Sequence, residues 1–291
     1  MLRRIGRGWG ITKASWAVLK LHPKLLLLPI LSGVAFLALF TAIAFSTFAG
    51  AKSDYVRHVL EHVELSQPLT FVILFAFYFV ATLIVVFFNA ALVFCALQCF
   101  AGKEPSLRAG LATAAGRLPQ ILAWTLVATT VGLILSAVQS MLKDKLGFLG
   151  SLLGGLFEVT WAVVTYFVVP VLVVEGVGPI EAFRRSSAIL RKTWGEAAAG
   201  EGGLSAISFL FFLPVTVLIA LIGMPGIDIR AAPAVFVAII AIGAAYILAL
   251  TVVFTALGTI FRTGAYIYAT TGKAPSSMDA ALLQSAFHDK S

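Results

Sequence analysis

Apolar and polar positions do not alternate finely along this chain. Long apolar runs are separated by short segments that carry nearly all the charge. Six runs reach the roughly 20 residues that an α-helix needs to cross hydrocarbon: Leu25–Ala49, Leu69–Phe100, Ile121–Leu142, Leu152–Val174, Leu204–Met224 and Ala234–Phe261. A single formally charged residue, Glu158, falls inside any of them. The second and sixth runs, of 32 and 28 residues, are too long for one untilted crossing and too short for two, which predicts tilt or helix protruding past the hydrocarbon. The expected fold is all-α: a single polytopic transmembrane bundle over residues 1–291, with six spans in three hairpins.

Six crossings divide the flanking segments into two sets. Segments 1–24, 101–120, 175–203 and 262–291 hold 16 of the 21 Lys and Arg residues; segments 50–68, 143–151 and 225–233 hold the other 5. Lys and Arg accumulate on the cytoplasmic side of a membrane. The first set is therefore expected inside, with both termini in the cytoplasm of a cell (plasma or inner) membrane and only short outer loops.

The inner segments carry helical periodicity of their own. Gly178-Pro179 reads as a helix start, because a proline at the first helical position lacks an N–H that would be unpaired there anyway. Ile180, Phe183, Leu190 and Trp194 then recur on one face, with Ser187 filling the gap, and Arg184, Arg185, Arg191 and Lys192 lie largely off it. This pattern predicts an interfacial amphipathic helix over 179–194, its apolar face at the headgroup boundary and its cations towards anionic lipid. A similar element is expected over 105–118, with Leu107, Leu111, Ala114 and Leu118 on one face and Arg108 and Arg117 beside it. A third is expected over 5–22, with Ile5, Trp9, Trp16 and Leu19 as its stripe and Lys13 and Lys20 nearby. The partners implied are the bilayer and anionic headgroups on the cytoplasmic side. The even-numbered spans exit through similar segments, Gly102-Lys103-Glu104-Pro105, Gly176-Val177-Gly178-Pro179 and Gly272-Lys273-Ala274-Pro275, which suggests a threefold repeat of hairpins. The apolar faces of the two central inner helices align best two residues away from the Gly/Pro register.

Composition narrows the class further. Hydrophobic residues make up 60% of the chain and charged residues 12%. Soluble domains carry about 25% charged residues, and a chain with half of that could not cover its surface in water. The net charge of +8 is confined to segments between apolar runs, so it points to a membrane surface and not to nucleic acid. Cys95 and Cys99, one helical turn apart in one run, are poorly placed for a disulfide and read as small fillers of a buried helix. Asn89 is the only asparagine and has no sequon. The first run, at 25 residues, exceeds a signal h-region of about 7–15 and reads as a span.

Candidate chemistry is sparse. Glu158 lies six residues into the fourth run. It either faces the bundle interior, where an acid marks an ion or substrate path, or sits at the headgroups, the reading that Gly154 and Gly155 just before it favour. Gln139, at similar depth on the third run, offers a hydrogen bond, and Asn89 and Gln98 on the second read as interhelical glue. Pro29, Pro170 and Pro214 are expected to kink their spans. His58-Val59-Leu60-Glu61-His62 spells the H-x-x-E-H peptidase pattern, with Asp54 as a further ligand, but its 19-residue loop has no room for a substrate cleft or supporting shell. A solvated loop helix is expected there, and no catalytic residue, metal site or cofactor is assigned.

The segment Val168-Val169-Pro170-Val171-Leu172-Val173-Val174-Glu175-Gly176, followed by Gly178-Pro179-Ile180-Glu181-Ala182-Phe183-Arg184-Arg185-Ser186, resembles an uncharacterised family of bacterial six-span membrane proteins. It is more distantly similar to the membrane domain found beside glycerophosphodiester phosphodiesterase domains. The resemblance implies fold and location and brings no catalytic residues. The expected function is that of a non-enzymatic scaffold or envelope accessory factor. The alternatives are a small-molecule or lipid transporter using a midspan acid and, third, an intramembrane metal-dependent hydrolase.

Overall fold

The computed structural model describes residues 15–52, 67–222 and 233–271, and every element among them is helical. A short helix over 15–21 and a 3₁₀ turn, Pro23–Leu26, lead into α1 (Leu27–Lys52). There follow α2 (Gln67–Phe100), α3 (Leu107–Gly116), α4 (Leu118–Leu146), α5 (Phe148–Val164), α6 (Val168–Glu175), α7 (Pro179–Ile222) and α8 (Pro233–Thr271). Helix is what lipid demands of such a sequence, because hydrocarbon offers no water to pair a backbone N–H or carbonyl.

Among the described residues, five helical stretches are long and apolar enough to cross a membrane: Pro23–Phe45, Phe71–Phe100, Leu118–Leu146, Phe148–Glu175 and Val237–Thr271. The run expected from Leu204 to Met224 is represented by the shorter apolar stretch Gly202–Val217. Large apolar side chains lie on the outside, among them Phe148 at 82% exposure and Phe45 at 75%. Such a surface is stable only against lipid, and the chain is an integral membrane protein.

The chain divides into two compact units. One comprises residues 27–95 and 106–190. In it α4 and α5 pack antiparallel, joined by Gly147 alone at φ +57°. Glycines bring them together: a Cβ on Gly150 would collide with the Leu142 carbonyl, and one on Gly154 would stand 2.5 Å from Cγ of Gln139. The outer loop expected over 143–151 is therefore helix on both sides of one residue, because close backbone approach removes the need for a connecting loop. In the same way Arg117 alone separates α3 from α4. On α3 the buried positions are Gly110 and Ala114, with Leu107 and Leu111 only half-buried and Leu118 exposed. A Cβ on Gly110 would lie 2.7 Å from Cys95 Sγ and 2.9 Å from the Ala91 carbonyl, so α3 lies directly on α2. Cys95 and Cys99 are free and buried, as expected of small fillers.

The other unit comprises residues 1–26, 96–105 and 191–291. Here α8 buries its second half, including Ala256, Leu257, Ile260, Phe261 and Tyr266. The later part of α7 runs antiparallel to it. Phe211 and Phe212 pack on Phe254 at 6.0 and 6.3 Å, and Tyr246 donates to the Phe211 carbonyl at 3.0 Å, in the stretch before Pro214. Two expectations are corrected. The separate elements over 179–194 and 204–224 form one continuous 44-residue helix, since no proline or turn intervenes before Pro214. In the helix over 15–21, the buried face is Ser15, Val18 and Leu19 while Trp16 is 49% exposed, because protein and not lipid covers that face.

The Gly150 contact gives a test. Gly150→Ala is expected to destabilise the protein by about 1–3 kcal/mol through overpacking, read as a lower thermal midpoint in detergent. Gly155→Ala, which meets nothing within 4 Å, should leave the midpoint unchanged or slightly raised.

Candidate functional site at a broken span

The stretch Phe148–Glu175 is long enough to cross the membrane, yet its helix is interrupted between Val164 and Val168. Pro170 supplies the cause. Its nitrogen has no hydrogen to donate to Tyr166, and its ring crowds that carbonyl. Tight turns carry the chain across the gap: Tyr166 N–H donates to Val163 at 3.2 Å and Val168 N–H to Thr165 at 3.0 Å. This leaves the Val164 carbonyl and the Phe167 N–H without their regular partners inside a spanning segment.

Ser186, fully buried on α7, serves both. Its hydroxyl donates to the Val164 carbonyl at 2.7 Å and accepts from the Phe167 N–H at 3.0 Å. The residues between bring it there. Gly176 ends α6 in the left-handed conformation at φ +65°, and Pro179 begins α7 on the return. Ala182, one turn before Ser186 and fully buried, allows close approach. Phe183 stacks on Trp161 at 5.9 Å and Trp161 on Trp124 at 6.0 Å, tying α7, α5 and α4 together. The Gly-Pro-x-x-Ala-x-x-x-Ser segment is thus the means by which a broken span recovers its backbone hydrogen bonds. Its buried face is Ala182, Ser186 and Leu190, while Ile180 is 72% exposed, so the stripe expected at the headgroups is displaced towards smaller residues that pack on protein.

A polar joint lies where α6 ends. The Arg117 guanidinium packs on Gly176 so closely that a Cβ there would overlap it. Gln120 reaches the same residue, donating from Nε2 to the Gly176 carbonyl at a long 3.5 Å, while its buried Oε1 accepts nothing. Glu175 pairs with Arg185, whose Nε also donates to Glu181 at 3.1 Å, and Arg184 lies 3.7 Å from Glu181.

Among the cations expected at headgroups, Arg117 is half-buried on Gly176, Arg184 and Arg185 are exposed and paired with acids of the protein, and Arg108 and Arg191 are exposed. The candidate membrane site Glu158, Gln139 and Asn89 is not gathered. Glu158 is exposed on α5, Gln139 is half-buried against Gly154, and Asn89 is half-buried on α2. Among the described residues no hydrogen bond links any two of them. The side chains of Lys192 and Trp194, the His58–His62 motif with Asp54, Ile5, Trp9, Lys13 and the third Gly/Pro exit lie outside what the structure describes. Within those described, no group of three or more His, Cys, Asp or Glu could hold a metal ion. Ser186, Gln120 and Gly176 were not evident as site residues from the sequence. The available signal was a proline inside a span followed by a Gly-Pro restart, a pattern that needs a hydroxyl for the freed backbone.

The chain belongs to a family of unknown function, DUF6159, whose model matches residues 68–276 and so includes the broken span, the joint and Ser186. No curated protein and no solved structure matches it.

Ser186→Ala would leave two buried backbone groups unpaired, at about 1–3 kcal/mol each. The expected result is a destabilisation of about 2 kcal/mol or more, with faster hydrogen exchange at residues 164–168 and little change elsewhere. Ser186→Ala exchange indistinguishable from wild type would refute the assignment.

Proposed function

We propose that this protein is a non-enzymatic scaffold or envelope accessory factor of the cell membrane, with six spans and both termini in the cytoplasm. The observation that carries the reading is the use made of its polar groups. The one acid of the apolar runs, Glu158, lies exposed on α5, and the buried hydroxyl at the broken span is spent on backbone. Other hydroxyls in the spans, those of Thr41, Thr125, Thr130 and Thr160, donate to carbonyls of their own helices. The fifth of the six spans rests on the apolar stretch Gly202–Val217 and its continuation to Met224 in sequence. The 16-to-5 division of Lys and Arg supports the orientation. Anionic headgroups on the cytoplasmic side are the proposed partners of the exposed Arg108, Arg184 and Arg191.

The second reading is a small-molecule or lipid transporter. The interrupted span favours it, because transporters build their sites from broken helices.

Glu158→Gln separates the two. In a strain lacking the native gene, a scaffold predicts that this variant restores detergent and membrane-antibiotic resistance as fully as wild type; loss of restoration at wild-type expression would favour transport through the acid. Topology is tested by single cysteines in a Cys-free background. Those at Ser66, Lys145 and Asp228 should react with an impermeant thiol reagent added outside intact cells. Those at Ser106, Ala188 and Ser285 should not, and outside labelling at Ala188 would overturn the orientation.

A further inference from the structure

Most charged groups near the end of α6 have protein counter-charges; one does not. Glu175, Arg185, Glu181 and Arg184 form a chain of ion pairs. The Arg117 guanidinium, half-buried on Gly176, has no hydrogen-bond or ion-pair partner among the described residues. Beside it, on the same glycine, Gln120 holds a buried amide oxygen that accepts nothing. Arg117 is the residue that caps α4 and Gln120 stands in its first turn, where the opening amides add positive potential. A lone guanidinium calls for an oxyanion, and a phosphate fits its fork of donors. A buried acceptor next to it calls for a donor on the same molecule. Gly176 is the surface on which the two meet, and a side chain there would fill the place of the guanidinium.

We propose that Arg117 and Gln120 form a binding site for a phosphodiester headgroup whose neighbouring group donates a hydrogen bond, such as the ammonium of ethanolamine or a hydroxyl of glycerol. The phosphate lies on Arg117 and the donor on Gln120 Oε1. Choline, which is fully methylated, satisfies only the first half. The proposal rests on the headgroup-facing reading of the inner segments given above, and names the ligand chemistry there. Arg108, exposed on α3, is not part of the site.

The test is native mass spectrometry of the full chain, purified in a mild detergent, with phosphatidylethanolamine, phosphatidylglycerol or phosphatidylcholine added. Wild type is expected to retain one ethanolamine or glycerol lipid with about tenfold preference over the choline lipid. Arg117→Gln should lose retention of all three by about tenfold or more. Gln120→Leu should keep the phosphate contact but lose the preference, so that the three lipids bind alike. Lys145→Gln, exposed at the far end of α4, should match wild type. Each variant is scored only against its own thermal midpoint and monodispersity, and the Gln120→Leu selectivity ratio needs no comparison of absolute yield. Soluble glycerophosphoethanolamine separates the two sources of the ligand: if it displaces the bound lipid at millimolar concentration, the site reads the headgroup alone and accepts a free phosphodiester, and if it does not, the ligand is a bilayer lipid. Equal retention by wild type and Arg117→Gln, or equal binding of choline and ethanolamine lipids by wild type, would overturn the proposal. Either result would leave the topology to stand or fall on the cysteine labelling.

Discussion

A backbone inside hydrocarbon must find every hydrogen-bond partner within the protein, and at one point this chain cannot do so locally. Pro170 breaks the fourth apolar run, and the freed Val164 carbonyl and Phe167 N–H are both served by the hydroxyl of Ser186. Much of the surrounding structure follows from that need. α6 must end soon after the break, the chain must turn back at Gly176, and α7 must pass close enough for a short side chain to bridge. Ala182 is small because the bridge is short, and the Trp124–Trp161–Phe183 stack fixes the approach.

Elsewhere helices are joined by close approach through glycine and other small residues. Gly150 and Gly154 seat α5 on α4, and Gly110 seats α3 on Ala91 and Cys95. In lipid this is the expected economy, since burying a leucine against a neighbour gains little over leaving it in acyl chains, whereas close packing adds dispersion contacts. The large apolar residues accordingly stay outside and the small ones form the seams. The two inner helices share this device: Gly110 and Ala114 on α3, Ala182 and Ser186 on α7, each a small pair one turn apart and buried. The pairs fall five and three residues after Pro105 and Pro179, the two-residue offset seen in the hydropathy pattern.

The same packing separates structural charge from available charge. Arg185 is committed to Glu175 and Glu181, while Arg117 packs on Gly176 with no hydrogen-bond or ion-pair partner among the described residues. That difference turns a general basic surface into one position with a defined chemistry. The polar residues most conspicuous in the hydropathy pattern, Glu158 and Gln139, lie on adjoining helices, the first exposed and the second half-buried against Gly154.

The sequence by itself determined the solvent and the secondary structure. Apolar runs of spanning length leave helix as the solution, and two cysteines one turn apart on a helix are poorly placed for a disulfide. It also placed Pro170, Gly176 and Pro179 as interruptions. Periodicity marks a face without saying what covers it, so the buried stripe of α7 runs through Ala182, Ser186 and Leu190 while Ile180, on the expected face, is exposed. Hydropathy likewise could not show that 143–151 is helix around Gly147, or that 179–194 continues into the next apolar stretch, because both depend on how closely neighbouring backbones approach. Only the tertiary structure decided which hydroxyl repairs the broken span and which arginine packs on Gly176, since each is a relation between residues far apart in sequence and fixed by packing.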